Sequence, residues 1–241
     1  MLSDPQKNMI NLKAKIEKIF QDNIRYANPN QAVNQADSLD ALSKDLYADS
    51  KRFIYELLQN ADDSAVDDIF VNVWIKIIDN NLIVAHSGKP FDERDIQGIC
   101  NINNGTKKSD ITKTGYKGIG FKSVFGQSQK VIIFTNSEYF KFDADYKHDW
   151  KWEESSQNIW EKENDRKFQY PWQIIPIYLQ PNEIETNIHE YLQSVEATVA
   201  TVIELKNNKD IIDSLKELSQ KTNMYLFLKK ISNIFLTPNK V

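Results

Sequence analysis

The chain has 241 residues, 41% of them hydrophobic, with 30 lysines and arginines against 34 aspartates and glutamates, a formal charge of −4. That balance supports a sizeable core, excludes wholesale disorder, and argues against nucleic acid as the main partner of this segment. The single cysteine, Cys100, excludes an internal disulfide and a cysteine-based zinc site; no apolar run reaches the roughly 18 residues of a membrane span, so a cytoplasmic protein without membrane contact is expected.

Residues 7–26 space Ile10, Leu12, Ile16, Ile19, Phe20 and Ile24 at near-helical intervals, which predicts a first amphipathic helix. A polar stretch, 27–37, with Pro29 as punctuation reads as a break, and Ser38 as the N-cap of a short helix to Tyr47. Residues 51–65 read as a helix with Ile54, Leu57, Leu58 and Ala61 on its apolar side. Strict alternation of Ile69, Val71, Val73, Ile75 and Ile77 predicts a strand over 68–78, and Asp79-Asn80-Asn81 a hairpin turn into a second strand at 82–85. Further strands are expected at 130–135, 138–142, 173–179, 198–206 and 231–237, with a helix at 210–220. Residues 145–172 hold four of the five tryptophans among charges and read as an insertion packed on the surface. Strands and helices segregate rather than alternate, so the expected class is α+β: a two-layer α/β sandwich with a mixed, mostly antiparallel sheet covered on one face by helices. The expected organisation is an N-terminal helical segment, 1–50, followed by one domain over 51–241.

All seven glycines fall between Gly88 and Gly126. Glycine is kept where backbone takes φ > 0 or approaches something closely, so this clustering points to ligand-facing loops in one stretch. Three features frame it. On the helix at 51–65, Glu56, Asn60 and Asp63 lie within about 60° of one another around the axis, given about 100° per residue. A carboxylate and a carboxamide one turn apart can orient a water and ligate a hard cation; alone, the stripe also fits a solvated helix face. His86-Ser87-Gly88-Lys89-Pro90-Phe91 forms a turn directly after a strand. In Gly115-Tyr116-Lys117-Gly118-Ile119-Gly120-Phe121, three glycines precede an apolar run that reads as a helix start, a setting in which backbone N–H groups hold phosphate. It is neither a Walker A loop nor a dinucleotide fingerprint.

In this order and spacing, ELLQNADD, HSGKPF and GYKGIGFKSVF resemble the GHKL (Bergerat-fold) ATPase superfamily, and within it the sacsin-like N-terminal domains, over roughly residues 52–205. The resemblance implies ATP and Mg²⁺ as ligands and slow hydrolysis of ATP to ADP and phosphate. It implies Glu56 as the water-polarising carboxylate, Asn60 as the Mg²⁺ ligand, and Asp63 and Gly88 near the nucleotide. Gly115, Tyr116, Lys117, Gly118, Ile119, Gly120 and Phe121 match the phosphate loop. Thr201 matches a strand threonine beneath the adenine, and residues 92–114, with Thr106, Lys107, Lys108 and Lys113, stand at the ATP lid. The family's adenine-reading aspartate is His86 here, with Ser87 beside it as a second candidate; a histidine that only caps its strand is the plainer alternative. Nucleotide-driven lid closure or homodimerisation, downstream domains of the same chain, and a chaperone-like or bacterial phage-defence role are further implications. Three rivals stand beside this reading, one of them a nucleic-acid clamp in which this segment, at −4, is not the principal contact surface. A non-hydrolysing nucleotide sensor fits the same motifs. A histidine kinase is disfavoured, because none of His86, His148 and His189 precedes the ATP motifs on a helix.

Overall fold

Period-two patterning builds the sheet. In the computed structural model, which describes residues 11–46, 52–67, 69–101, 119–205, 208–220 and 227–237, β1 (Val71–Ile78) alternates buried and half-buried positions, and β2 (Asn81–His86) is buried throughout. The two are antiparallel, Val73 opposite His86 and Ile78 opposite Asn81, across a turn in which Asp79 takes φ 51°. β3 (Lys130–Thr135), β4 (Glu138–Asp143), β7 (Ile177–Leu179), β8 (Val199–Glu204) and β9 (Ile231–Thr237) complete a seven-stranded sheet in the order β7-β4-β3-β8-β2-β1-β9. Only the β1–β9 pair is parallel. The class is therefore α+β, with a mixed, mostly antiparallel sheet in a two-layer α/β sandwich.

One sheet face carries Val71, Val73, Ile75, Leu82, Val84, Val131, Ile133 and Ile203 into the main core. Against it pack α1 (Leu12–Asn23) through Leu12, Ile16 and Ile19, and α3 (Arg52–Asp63) through Phe53, Ile54, Leu57, Leu58 and Ala61. α4 (Glu93–Cys100), the short α5 (Ile119–Lys122) and α8 (Asn208–Gln220) lie in the same layer, contributing Ile96, Phe121 and Ile211. The opposite face adds one element that the sequence pattern did not suggest: α7 (Thr186–Ser194) buries Ile188 and Leu192 against Ile83, Ala85, Ala200 and Val202. Among the described residues, no helix is long and apolar enough to cross a membrane.

Three expectations are corrected. The break is shorter than 27–37: α1 ends at Asn23, and α2 (Pro29–Leu46) already covers 29–37. Pro29 stands at the first helical position, where its missing N–H is no loss, and Asn28 Oδ1 accepts from the Gln31 N–H as the cap. Ser38 is mid-helix and its hydroxyl donates to the Asn34 carbonyl, the i−4 bond that lets serine sit inside a helix. The tryptophan-rich segment is not a surface appendage. It forms β5 (Lys151–Trp152), β6 (Ser155–Ser156) and α6 (Gln157–Asn164), and buries Trp150, Trp160 and Phe168 with Ala32, Val33 and Leu39 of α2. Two of its indoles bond back to the preceding segment: Trp160 Nε1 donates to Asn30 Oδ1 at 2.8 Å and Trp152 Nε1 to the Tyr26 carbonyl at 3.1 Å. Finally, the strand expected over 173–179 is only β7; Trp172–Ile174 is a 3₁₀ turn.

Candidate functional site

The site is organised by α3. Its apolar side is fixed in the main core, so its other side carries Glu56, Asn60 and Asp63 as half-buried positions. Glu56 Oε1 stands 3.8 Å from Arg52 Nε, one turn earlier on the same helix. The Glu56 carboxylate lies directly against Gly120: a methyl group there would overlap Oε2 and come within 2.7 Å of Cδ. Glycine at 120 lets the end of the Glu56 side chain come this close, and its backbone is not in the left-handed region.

The far end of α3 holds the second motif. A methyl group on Gly88 would overlap Ser64 Oγ and lie 2.8 Å from Ser64 Cβ. The Lys89 N–H donates to the Ser64 carbonyl at 2.9 Å, and Ser64 Oγ donates to the Ala61 carbonyl at 2.6 Å while lying 3.3 Å from His86 Nδ1. His86 is 6% exposed at the end of β2, and its Nδ1 accepts the Gly88 N–H at 3.2 Å, which in neutral histidine assigns the ring proton to Nε2. Just before β8, Thr198 Oγ1 donates to the His86 and Gly88 carbonyls. Ser87 extends the β1–β2 ladder, its Oγ accepting the Asn72 N–H at 3.0 Å. Thr201 is buried in mid-β8, opposite Val84 and Ile133.

Beyond the turn, Asp92 caps α4 by accepting from the Arg94 and Asp95 N–H groups, and Lys89 Nζ reaches its Oδ2 at 2.9 Å. Burial opposes ionisation of Asp92, but the Lys89 bond and the two backbone donors outweigh it and hold the carboxyl down at about 2. The start of the expected lid, 92–101, is thus a capped helix and its end. Thr106, Lys107, Lys108, Lys113, Gly115, Tyr116, Lys117 and Gly118 lie outside the described residues. Ile119 and Gly120 open α5, and the Phe121 side chain belongs to the main core, edge-on to Phe125 with ring centroids 5.7 Å apart.

The structure therefore brings Gly120 against Glu56 on α3, and Gly88 against Ser64 just past the end of the same helix. Sequence reasoning missed three residues. Ser64 continues the spacing Glu56, Asn60, Ser64 at i, i+4, i+8, so its signal was present. Asp62 ties α3 to β9, its Oδ1 accepting from the Lys230 and Ile231 N–H groups at 2.6 and 3.1 Å. Lys122 is fully buried; its signal was a charge inside the apolar run 121–125.

The chain is 36% identical to Protein NO VEIN of Arabidopsis thaliana over 107 residues, 44% of this chain and 4% of that protein. It is 39% identical to Sacsin of Homo sapiens over 93 residues, 33% of this chain and 2% of that protein. The chain thus spans only a few per cent of the curated relatives it matches. The Sacsin domain model matches residues 42–240, nearly the whole of the sheet and helical layer described above, and the chain belongs to the Sacsin domain family.

Proposed function

We propose that the chain is a Mg·ATP-binding domain of the GHKL type that hydrolyses ATP slowly, its nucleotide state driving lid closure or dimerisation within a larger multidomain protein. The observation that carries this reading is the convergence of separate motifs on α3: Glu56 against Gly120 at one end, Ser64 against Gly88 at the other. Two close glycine approaches flanking a stripe of oxygen donors suit a phosphate ligand held through Mg²⁺ and backbone N–H groups.

The residues fit the ligand pair. Carboxylate and carboxamide oxygens are the donors Mg²⁺ takes, and it keeps water and phosphate for its remaining positions. Among the described residues no group of three or more His, Cys, Asp or Glu is placed to hold a metal ion, so Asn60 would act as one protein ligand among phosphate and water oxygens. When bound, Mg·ATP supplies the phosphoanhydride to be cleaved and the charge that offsets its phosphates. Glu56 orients a water and takes its proton, while Arg52 holds the carboxylate in place. Backbone of the glycine loop, of which Ile119 and Gly120 are described, donates to phosphate oxygens. His86 stands where the family reads adenine.

Calorimetry with Mg·ATP tests this. Asn60→Ala is expected to remove Mg²⁺-dependent binding while leaving the melting transition intact; undiminished binding contradicts the assignment. A second reading, a non-hydrolysing sensor, is favoured by the Arg52–Glu56 ion pair, which competes with water for the carboxylate. Turnover that survives Glu56→Ala, with binding retained, decides for the sensor. Control of a chaperone-like or phage-defence assembly in the cytoplasm remains part of the proposal, to be tested in the longer protein.

A further inference from the structure

The most heavily buried cation in the described structure stands beside the site, in a role that the motifs did not predict. Lys122, 1% exposed, donates from Nζ to the Ile99 carbonyl at the end of α4 and to the Gln173 carbonyl at 2.9 Å, 23 and 51 residues away. The ammonium lies 5.2 Å over the Phe125 ring. Gln173, itself 1% exposed, passes the connection on, its Nε2 donating to Asp40 Oδ1 of α2 at 2.6 Å. On the other side, Ser123 Oγ donates to the Gly120 carbonyl at 2.6 Å.

Burying an ammonium costs several kcal/mol before any bond is made, and an apolar side chain of the same volume often does as well or better for stability. Burial here is severe enough to push the Lys122 ammonium down to about 8. Stability alone does not account for a lysine at this position. What the charge provides is geometry: two backbone carbonyls from distant segments meet at one atom, and that atom belongs to the four-residue helix that presents Gly120 to Glu56.

We infer that Lys122 is a positioning residue for the nucleotide site, clamping the end of α4 and the 172–174 turn onto α5 so that Gly120 stays seated on the Glu56 carboxylate. This rests on the ATP-binding reading for its consequence but not for its structural content, and two measurements separate them. In the nucleotide-free 241-residue chain, Lys122→Met is expected to raise hydrogen-exchange rates at least tenfold in α4 and 119–123 while β8 and α7 keep theirs; unchanged rates in α4 and 119–123 overturn the clamp. In calorimetry the same variant is expected to lose about tenfold in Mg·ATP affinity and less than twofold for adenosine, since the phosphate end is displaced and the base turn is not. Equal losses for both ligands, or none, overturn the positioning role. Should the wild-type chain bind no Mg·ATP, the ATP-binding reading and the positioning role fall together, while the exchange result still decides the clamp. If Lys122→Met does not fold, Asp40→Ala, which loosens the same network from its rim, is expected to show the exchange pattern at smaller amplitude, and its absence there has the same force.

Discussion

Two corners of the molecule are built on opposite principles. Around α3, segments are held at contact distance by the absence of side chains: Gly120 admits the Glu56 carboxylate and Gly88 admits Ser64. Under α2, segments are held by the bulk of side chains: Trp150, Trp160, Phe168 and Ile174 fill the space between the helix and the 145–172 insertion, with ring centroids 5.6 Å apart for Trp150–Phe168 and 5.7 Å for Trp160–Phe168. The first arrangement leaves Glu56, Asn60 and Asp63 half-buried on the side of α3 away from the main core, where the proposed ligand would sit. The second removes apolar area from water and suits stability. Substitutions at the two corners should therefore separate into those that move function and those that move the melting temperature.

The largest effect is expected from Trp160→Ala. Losing a buried indole should cost about 4 kcal/mol of stability, read by denaturant unfolding, with Mg·ATP affinity of the folded fraction unchanged. A matching loss of affinity would mean that the two corners are not independent. Next comes Gly120→Ala, whose new methyl group displaces the end of a flexible Glu56 side chain. Turnover should fall about 100-fold, equivalent to roughly 2.7 kcal/mol, while stability changes by less than about 1 kcal/mol. Gly88→Ala sharpens the contrast within the site. Its methyl group meets Ser64 Cβ as well as Oγ, so backbone must move, and about 2 kcal/mol of stability should be lost. Unfolding curves that leave Gly88→Ala as stable as Gly120→Ala would show that Ser64 is not packed as described.

The smallest effect is set by pH. The Asp92 carboxyl is held at about 2 in the folded chain against an ordinary 3.8, so its contribution is complete above about pH 4 and is lost as pH falls through 2. Because Lys89 is largely exposed, that contribution is screened and amounts to less than about 1 kcal/mol. Asp92→Asn, compared with the wild type between pH 2 and 6, should remove this slope; an unchanged slope would assign the acid sensitivity to other carboxylates.

Much of this architecture was legible from patterning. β1 and the apolar side of α3 follow from periods of two and 3.6, which depend only on local geometry, while β2, buried throughout, follows from the turn that precedes it. The meeting of Glu56 with Gly120 could be expected from motif order, but the atoms in contact could not. α2 was misread because Pro29 and a polar run look alike whether they end a helix or begin one; the Asn28 cap distinguishes the two, and only in three dimensions. The tryptophans of 145–172 were misread because charges between them mask a buried face that exists only once α2 lies across it.

By itself, then, the sequence determined the sheet's strands, the helix that carries Glu56 and Asn60, and the glycine-rich stretch beside them, because each is encoded within a dozen neighbouring residues. Which carboxylate holds β9, why Gly88 has no side chain, and where the Lys122 ammonium is satisfied were decided by tertiary structure alone. Each depends on a partner more than 20 residues distant, and the identity of a hydrogen-bond partner is set by packing rather than by local sequence.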